Sequence, residues 1–218
     1  MKIDFNKMAS EYKENKYCIV KNAISEKELR LLLLFYNTQK KHDVGSHMEV
    51  KLGNIDSNLH NFITSNIFRK ISNIRVKVLS MASCSDMIDN RLTEKDSRIE
   101  WERLMIEVMS KYGGWSRFMQ YGSSHKFHSH YDAVGEVMGI LHLSQPLKDY
   151  SGGLYIYHPE KKHEVCVDNV ISKKDLLLCD ANYYRHRVDI EPITPVGRLT
   201  YFINFNPHNP IGARSYKP

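Results

Sequence analysis

Cysteine is scarce in this chain, four in 218 residues, and no two of the four (Cys18, Cys84, Cys166, Cys179) stand in a CxxC spacing. That argues against a zinc ribbon or a compact disulfide framework and leaves reduced core thiols of a cytoplasmic protein as the expectation. Long apolar runs are missing as well. The longest, "LLLLF" from Leu31, falls far short of the roughly 20 residues a bilayer-crossing helix needs. The stretch "MKIDFNKMAS" lacks the apolar core of a signal peptide. There is no dense basic stripe either. The formal net charge is +6, but the basic residues come in scattered pairs such as Lys40-Lys41 and Lys161-Lys162. Nucleic acid is therefore not the expected partner, and an anionic small molecule fits the charge equally well. No internal repeat and no low-complexity segment interrupts the chain, and "GSHM" at 45–48 reads as native sequence. What is abundant is histidine, with eleven.

Apolar residues make up 42% and charged residues 26%, ordinary values for a folded chain of a length that supports one sizeable core. The pattern changes near Gly113-Gly114. Before it, the reading is mostly helical. "YCIV" is a short extended stretch, and Ser25 with Glu28 forms a capping box ahead of a helix carrying Leu29, Leu32, Leu33 and Tyr36 on one face. A second helical region covers "SNLHNFITSNIFRKI". A third runs from Thr93 to Tyr112, with Trp101, Leu104, Met105, Val108 and Met109 at three- and four-residue steps. After the glycines come seven short β-type runs, "WSRFMQY", "EVMGILHLS", "GGLYIYH", "HEVCVD", "DLLLCD", "RHRVDI" and "GRLTYFINFN". The expectation is a mainly β jelly-roll or sandwich, with "YCIV" as an eighth strand. Residues 1–114 would form a mostly helical support region packed on a core of residues 115–218, the two making one structural domain.

The chemistry concentrates in "HSHYD", residues 128–132. In an extended chain alternate side chains share a face, so His128, His130 and Asp132 point the same way. Two pairs then compete for a metal, His130 with Asp132 or His128 with His130. Ferrous iron is often held by two imidazoles and one carboxylate on one face, with the opposite positions open. His186 in "YYRHRVDI" is the candidate third ligand. Arg198 in "GRLTYFINF" could offer its fork to a carboxylate in two parallel bonds, and Thr200, two residues on, shares its face.

The order His130-x-Asp132, "GGLY" at 152–155, His186-x-Val188 and Arg198-x-Thr200 resembles the iron(II)/2-oxoglutarate-dependent oxygenases. "QYGSSHKFHSHYD" is similar to the prolyl-4-hydroxylase and phytanoyl-CoA hydroxylase-like branches, and the resemblance covers roughly residues 115–206. It implies a double-stranded β-helix (a cupin-like jelly-roll barrel) that binds iron(II) through His130, Asp132 and His186. It implies also that Arg198, helped by Thr200 and Tyr121, holds the distal carboxylate of 2-oxoglutarate, with oxygen as the second co-substrate. The implied reaction is oxidative decarboxylation to succinate and carbon dioxide, coupled to hydroxylation or another oxidation of a C–H bond. Related halogenases replace the carboxylate ligand by a small residue, so Asp132 points away from halogenation. Nucleic-acid demethylases of the superfamily carry a second arginine six residues after the first, where this chain has Asn204.

A competing reading is a cupin-type metal site built from His128, His130, Glu136 and His186 (with Gly122 ahead of them), working without 2-oxoglutarate. It leaves Arg198 unexplained, and "DANYYRH" lacks the Pro-x-Gly turn expected before the last ligand. Arg198 could also be a surface salt-bridge partner, and Gly152-Gly153 a plain hairpin turn. Trp115, Arg117, Tyr184, Arg185, Arg187 and Arg214 are candidates to line a pocket, although each reads equally well as surface or packing. The expected substrate is a small molecule or an amino-acid-like one.

Overall fold

All seven β-type runs of the second half pair as antiparallel strands, and their alternation determines what lies inside the barrel. The computed structural model describes residues 3–51, 66–67, 70–71, 73–75, 77–79, 81–82, 116–130, 137–158, 162–180 and 183–205. In chain order the strands are β1 (Tyr17–Val20), β2 (His42–Asp43), β3 (Met48–Lys51), β4 (Ser116–Tyr121), β5 (His125–Lys126), β6 (Val137–His142), β7 (Tyr150–His158), β8 (His163–Cys166), β9 (Leu176–Asp180), β10 (Arg185–Pro192) and β11 (Arg198–Phe205). One sheet has the order β1-β9-β6-β11-β4-β3-β2 and the other β5-β10-β7-β8. "YCIV" is the extra strand expected of it, pairing with β9.

Strands β6, β9 and β11 are buried on both faces, for two different reasons. Val137, Leu141, Leu176, Leu178, Leu199, Tyr201 and Ile203 turn outward into a core shared with the helices α1 (Phe5–Asn15) and α2 (Glu26–Thr38). Met138, Ile140, Leu177 and Cys179 turn inward and meet Leu154 and Ile156 of the second sheet. This inner layer makes the two sheets a double-stranded β-helix. By the same parity His142, Arg198 and Thr200 point into the barrel, as do Tyr150 on β7 and His186 on β10.

The capping box at Ser25 and Glu28 is present, and α2 buries Leu29, Leu32, Phe35 and Tyr36. Phe35 takes the central place that the sequence pattern gave to Leu33, which packs at the margin of the core. The second helical region continues beyond the expected stretch, with described residues up to 81 helical. The expected helix from Thr93 to Tyr112 and the Gly113-Gly114 stop lie outside the described residues.

Three elements were not anticipated. Helix α1 buries only Met8, Ala9 and Tyr12 among charged neighbours, too faint a stripe to stand out. The β2–β3 hairpin turns through "GSHM", with Gly45 at φ 83°. The third, β5, is only two residues long. The first half thus contributes β1, β2 and β3 to the edges of the larger sheet as well as helices. Of the cysteines, Cys18 and Cys179 are buried and Cys166 is half-buried, while Cys84 lies outside the described residues. No helix among the described residues is long and apolar enough to cross a membrane.

Candidate active site

His130 and His186 are brought together by the backbone. They form an isolated antiparallel bridge, each N–H donating to the other's carbonyl at 2.9 and 2.8 Å. Their rings lie 4.4 Å apart between centroids. Each ring is oriented in the same way, His130 Nδ1 lying 3.1 Å from the carbonyl of His128 and His186 Nδ1 3.1 Å from that of Tyr184. A carbonyl can only accept, so both Nδ1 atoms carry the proton and both lone pairs sit on Nε2. That tautomer, fixed by a backbone carbonyl, is what a metal-ligating imidazole requires. Asp132 lies outside the described residues.

His128 does not join them. Its ring stacks on Phe127 and lies 5.8 Å from that of His130. Among the described residues no three His, Cys, Asp or Glu side chains converge as a metal site. His128, His130 and His186 are all described, so the cupin set loses one of its ligands, and its Glu136 lies outside the described residues.

Arg198 is buried (3% exposed) at the start of β11, and its place depends on the residue before it. Gly197 has φ 56°, and a Cβ there would meet the Tyr121 carbonyl at 2.0 Å, so only glycine lets β11 begin this close to β4. Arg198 is no surface salt-bridge partner. Its Nε donates to Asp168 Oδ2 at 2.7 Å and its Nη2 lies 3.5 Å from Oδ1. Asp168 is fully buried and also accepts from Tyr150 Oη at 2.7 Å and from Leu154 N at 3.2 Å. Burial alone would raise the Asp168 pKa, but the Arg198 charge and these hydrogen bonds outweigh it and hold the carboxyl below its usual range.

The Gly152-Gly153 pair is not a hairpin turn. Both residues lie inside β7 with positive φ, where a Cβ on Gly152 would strike the Asp189 carbonyl at 2.1 Å and one on Gly153 would strike the Asp168 side chain at 2.3 Å. The pair clears space for β10 on one side and for Asp168 on the other.

Two interior polar atoms beside this ion pair have no hydrogen-bond partner among the described residues, Thr200 Oγ1 and His142 Nε2. Thr200 and His142 are directly opposite in the β11–β6 register, so the two side chains are neighbours on one face. A buried polar group left unpaired costs about 1–3 kcal/mol, so a pair of them marks a place where a polar ligand group would fit. Tyr121, pairing opposite Arg198, lies at the same end of the barrel with Tyr150 and Ile190. The fold therefore offers two imidazoles suited to a divalent metal and, elsewhere in the interior, a buried cation flanked by unsatisfied donors and acceptors.

The remaining pocket candidates are engaged elsewhere or lie outside the description. Arg187 pairs with Glu164 and Asp189 and stacks on Tyr155. Arg117 reaches Glu49 and covers Phe202, and Tyr184 is a fully buried member of the inner core. Arg185 is exposed, and Trp115 and Arg214 are not among the described residues. Sequence reading missed Asp168, Tyr150 and His142. The inward parity that His142 shares with Met138 and Ile140 was the one available signal.

No family model matches the chain, and no curated protein matches it. Solved structures do. An oxidoreductase of the 2OG-Fe(II) oxygenase family from Burkholderia pseudomallei is 11% identical, with 92% of this chain and 88% of that one covered and a TM-score of 0.60. A prolyl-4-hydroxylase from Pseudomonas putida is 10% identical over 93% of this chain and 98% of that one, also at a TM-score of 0.60. HygX from Streptomyces hygroscopicus, solved with nickel and 2-oxoglutarate bound, is 10% identical over 93% and 87%, with a TM-score of 0.53. Over more than nine-tenths of its length, this chain has the double-stranded β-helix fold of the 2OG-Fe(II) oxygenases.

Proposed function

We propose that the protein is an iron(II)- and 2-oxoglutarate-dependent oxygenase. It would hydroxylate or otherwise oxidise an unactivated C–H bond of a small-molecule or amino-acid-like substrate, releasing succinate and carbon dioxide. The observation that carries this reading is the matched pair His130 and His186, both with Nδ1–H tied to a carbonyl, in a barrel whose interior also holds Arg198. HygX with hygromycin B bound, and the epimerase SnoN with Fe3+, alpha ketoglutarate and nogalamycin RO, support a small-molecule substrate on this fold.

Bound iron would supply oxygen activation and C–H cleavage, with His130, Asp132 and His186 as its ligands. The chain's own groups do the rest. The backbone carbonyls of His128 and Tyr184 orient both imidazoles, so that Nε2 of each would be the ligating atom. Asp132, as the carboxylate ligand, would balance part of the metal's charge where related halogenases carry a small residue, so the product would gain oxygen or lose hydrogen. Asp168 takes the Nε–Nη2 edge of Arg198, so Nη1 would receive the distal carboxylate of 2-oxoglutarate, with Thr200, two residues on along β11, and Tyr121, opposite Arg198 in the strand register, as further donors. Burial pushes the Tyr121 phenol up, so it stays a neutral donor.

Anaerobic titration with ferrous iron and 2-oxoglutarate, read by the weak visible absorbance of the complex, tests this directly. One iron per chain is expected. His130→Ala, Asp132→Ala and His186→Ala should each abolish tight binding, and His128→Ala should leave it largely intact. A substrate screen scored by succinate release follows. Iron affinity that depends on His128 as strongly as on His130 would sink the reading.

A further inference from the structure

The interior end of the barrel that holds Arg198 poses a charge problem for the ligand proposed above. The buried charges there cancel, Arg198 positive against Asp168 negative at 2.7 Å. A carboxylate arriving on Arg198 would leave the region with a net buried negative charge, which is costly in a low-dielectric interior unless a proton accompanies it.

The hydrogen-bond chain shows where that proton can go. Asp168, ionised, only accepts. Tyr150 spends its O–H on Asp168 at 2.7 Å, so Tyr150 Oη can only accept in turn. Besides the Arg198 guanidinium, Tyr150 Oη meets His142 Nδ1 at 3.4 Å, which must therefore carry the ring's proton. His142 Nε2 is then a bare, buried lone pair with no partner among the described residues. It lies beside Thr200, whose hydroxyl is also unpartnered, on the face that carries Arg198.

We propose that His142 is a ligand-binding residue of this end of the barrel: it takes up one proton from solvent when a dicarboxylate binds and donates its new Nε2–H to the carboxylate held by Arg198. No bond other than N–H forms, and the imidazolium offsets the added negative charge. The inference rests on the co-substrate reading of Arg198. The charged and titratable groups around His142 are Asp168 on a 3-10 turn (Val167–Val170), Arg198 on β11, Tyr150 on β7, and Asp175 with its partner Lys21. The neutral ring of the empty protein fits this setting, since burial depresses the His142 pKa to about 4, with Arg198 and Lys21 adding to that effect and Asp168 and Asp175 opposing it. A second anion at close range favours the charged ring.

The test is calorimetry of 2-oxoglutarate binding to anaerobic iron(II)-loaded protein at pH 7, in buffers of different ionisation enthalpy. Wild type should take up close to one proton per ligand, and its Kd should weaken by up to about tenfold per pH unit between the His142 pKa of the empty protein and the higher pKa of the bound state. His142→Gln should bind with little or no proton uptake and a nearly flat pH profile. Wild-type protein with zinc in place of iron and ¹⁵N-labelled histidine gives a variant-free reading. The His142 Nε2 resonance should move from the bare to the protonated range on adding 2-oxoglutarate. Binding by wild type without proton uptake, or uptake that persists in His142→Gln, overturns the inference and leaves the co-substrate reading standing. Absence of 2-oxoglutarate binding to wild type overturns both.

Discussion

At the scale of single residues, the interior ion pair and its neighbour His142 should dominate the response to mutation and to pH. Asp168→Ala leaves the Arg198 guanidinium buried without its counter-charge, a change that costs about 3–5 kcal/mol. Asp168→Leu combined with Arg198→Met should recover most of that loss, because the uncompensated charge is gone. Urea unfolding of the two variants separates the effects, and a double variant as unstable as Asp168→Ala would contradict this account. His142 sets a second dependence. Its pKa is 6.5 as an ordinary histidine and about 4 in the ligand-free fold. Between those values the unfolded chain binds more protons than the folded one, so stability rises with pH. The contribution is therefore fully present above about pH 6.5 and is lost as pH falls towards 4. At 1.36 kcal/mol per unit it amounts to roughly 3 kcal/mol. His142→Gln should flatten the difference in unfolding free energy between pH 7 and pH 4.5 by most of that amount.

At the scale of elements, strand β7 is where local chemistry and tertiary need collide. Glycine inside a strand weakens it, yet Gly152 and Gly153 both sit in β7 at positive φ because β10 and Asp168 occupy the space a Cβ would take. Gly153→Ala combines overpacking against a fully buried carboxylate with a backbone conformation that alanine rarely adopts. It should cost about 3 kcal/mol or more. Since Asp168 must shift to admit the methyl group, its grip on Arg198 should loosen as well, and 2-oxoglutarate affinity should change together with stability. A Gly153→Ala protein with wild-type melting would show that Asp168 moves freely.

At the scale of the whole molecule, a ligand that binds only the folded barrel stabilises it by mass action. In the anaerobic iron(II)-loaded protein, 2-oxoglutarate at a hundred times its Kd should add about 2.7 kcal/mol. For a chain of this size that raises Tm by about 5–10 °C. Arg198→Ala should lose the shift, and Arg198→Lys should keep part of it, because an ammonium keeps the charge but not the fork. Thermal scans with and without ligand are the measurement. An undiminished shift in Arg198→Ala would place the co-substrate somewhere else.

The sequence by itself determined the strands, because period-two alternation between turn residues is a local property, and "YCIV", "EVMGILHLS" and "GRLTYFINFN" carry it plainly. It also singled out His130, His186, Arg198 and Thr200, whose order along the chain is legible without a fold. Short or weakly patterned elements, β2, β5 and α1, were not legible, since they are stabilised by partners distant in sequence. Only the tertiary structure decided that His130 bridges His186 while His128 stacks away, because that depends on strand pairing across the barrel. Tertiary structure alone also paired Arg198 with Asp168, thirty positions earlier in the chain. A buried carboxylate on a 3-10 turn has no periodic signature, and its partner is chosen by which interior surface the turn packs against. For the same reason the two glycines of β7 looked like a turn in the sequence and proved to be the clearance for that carboxylate.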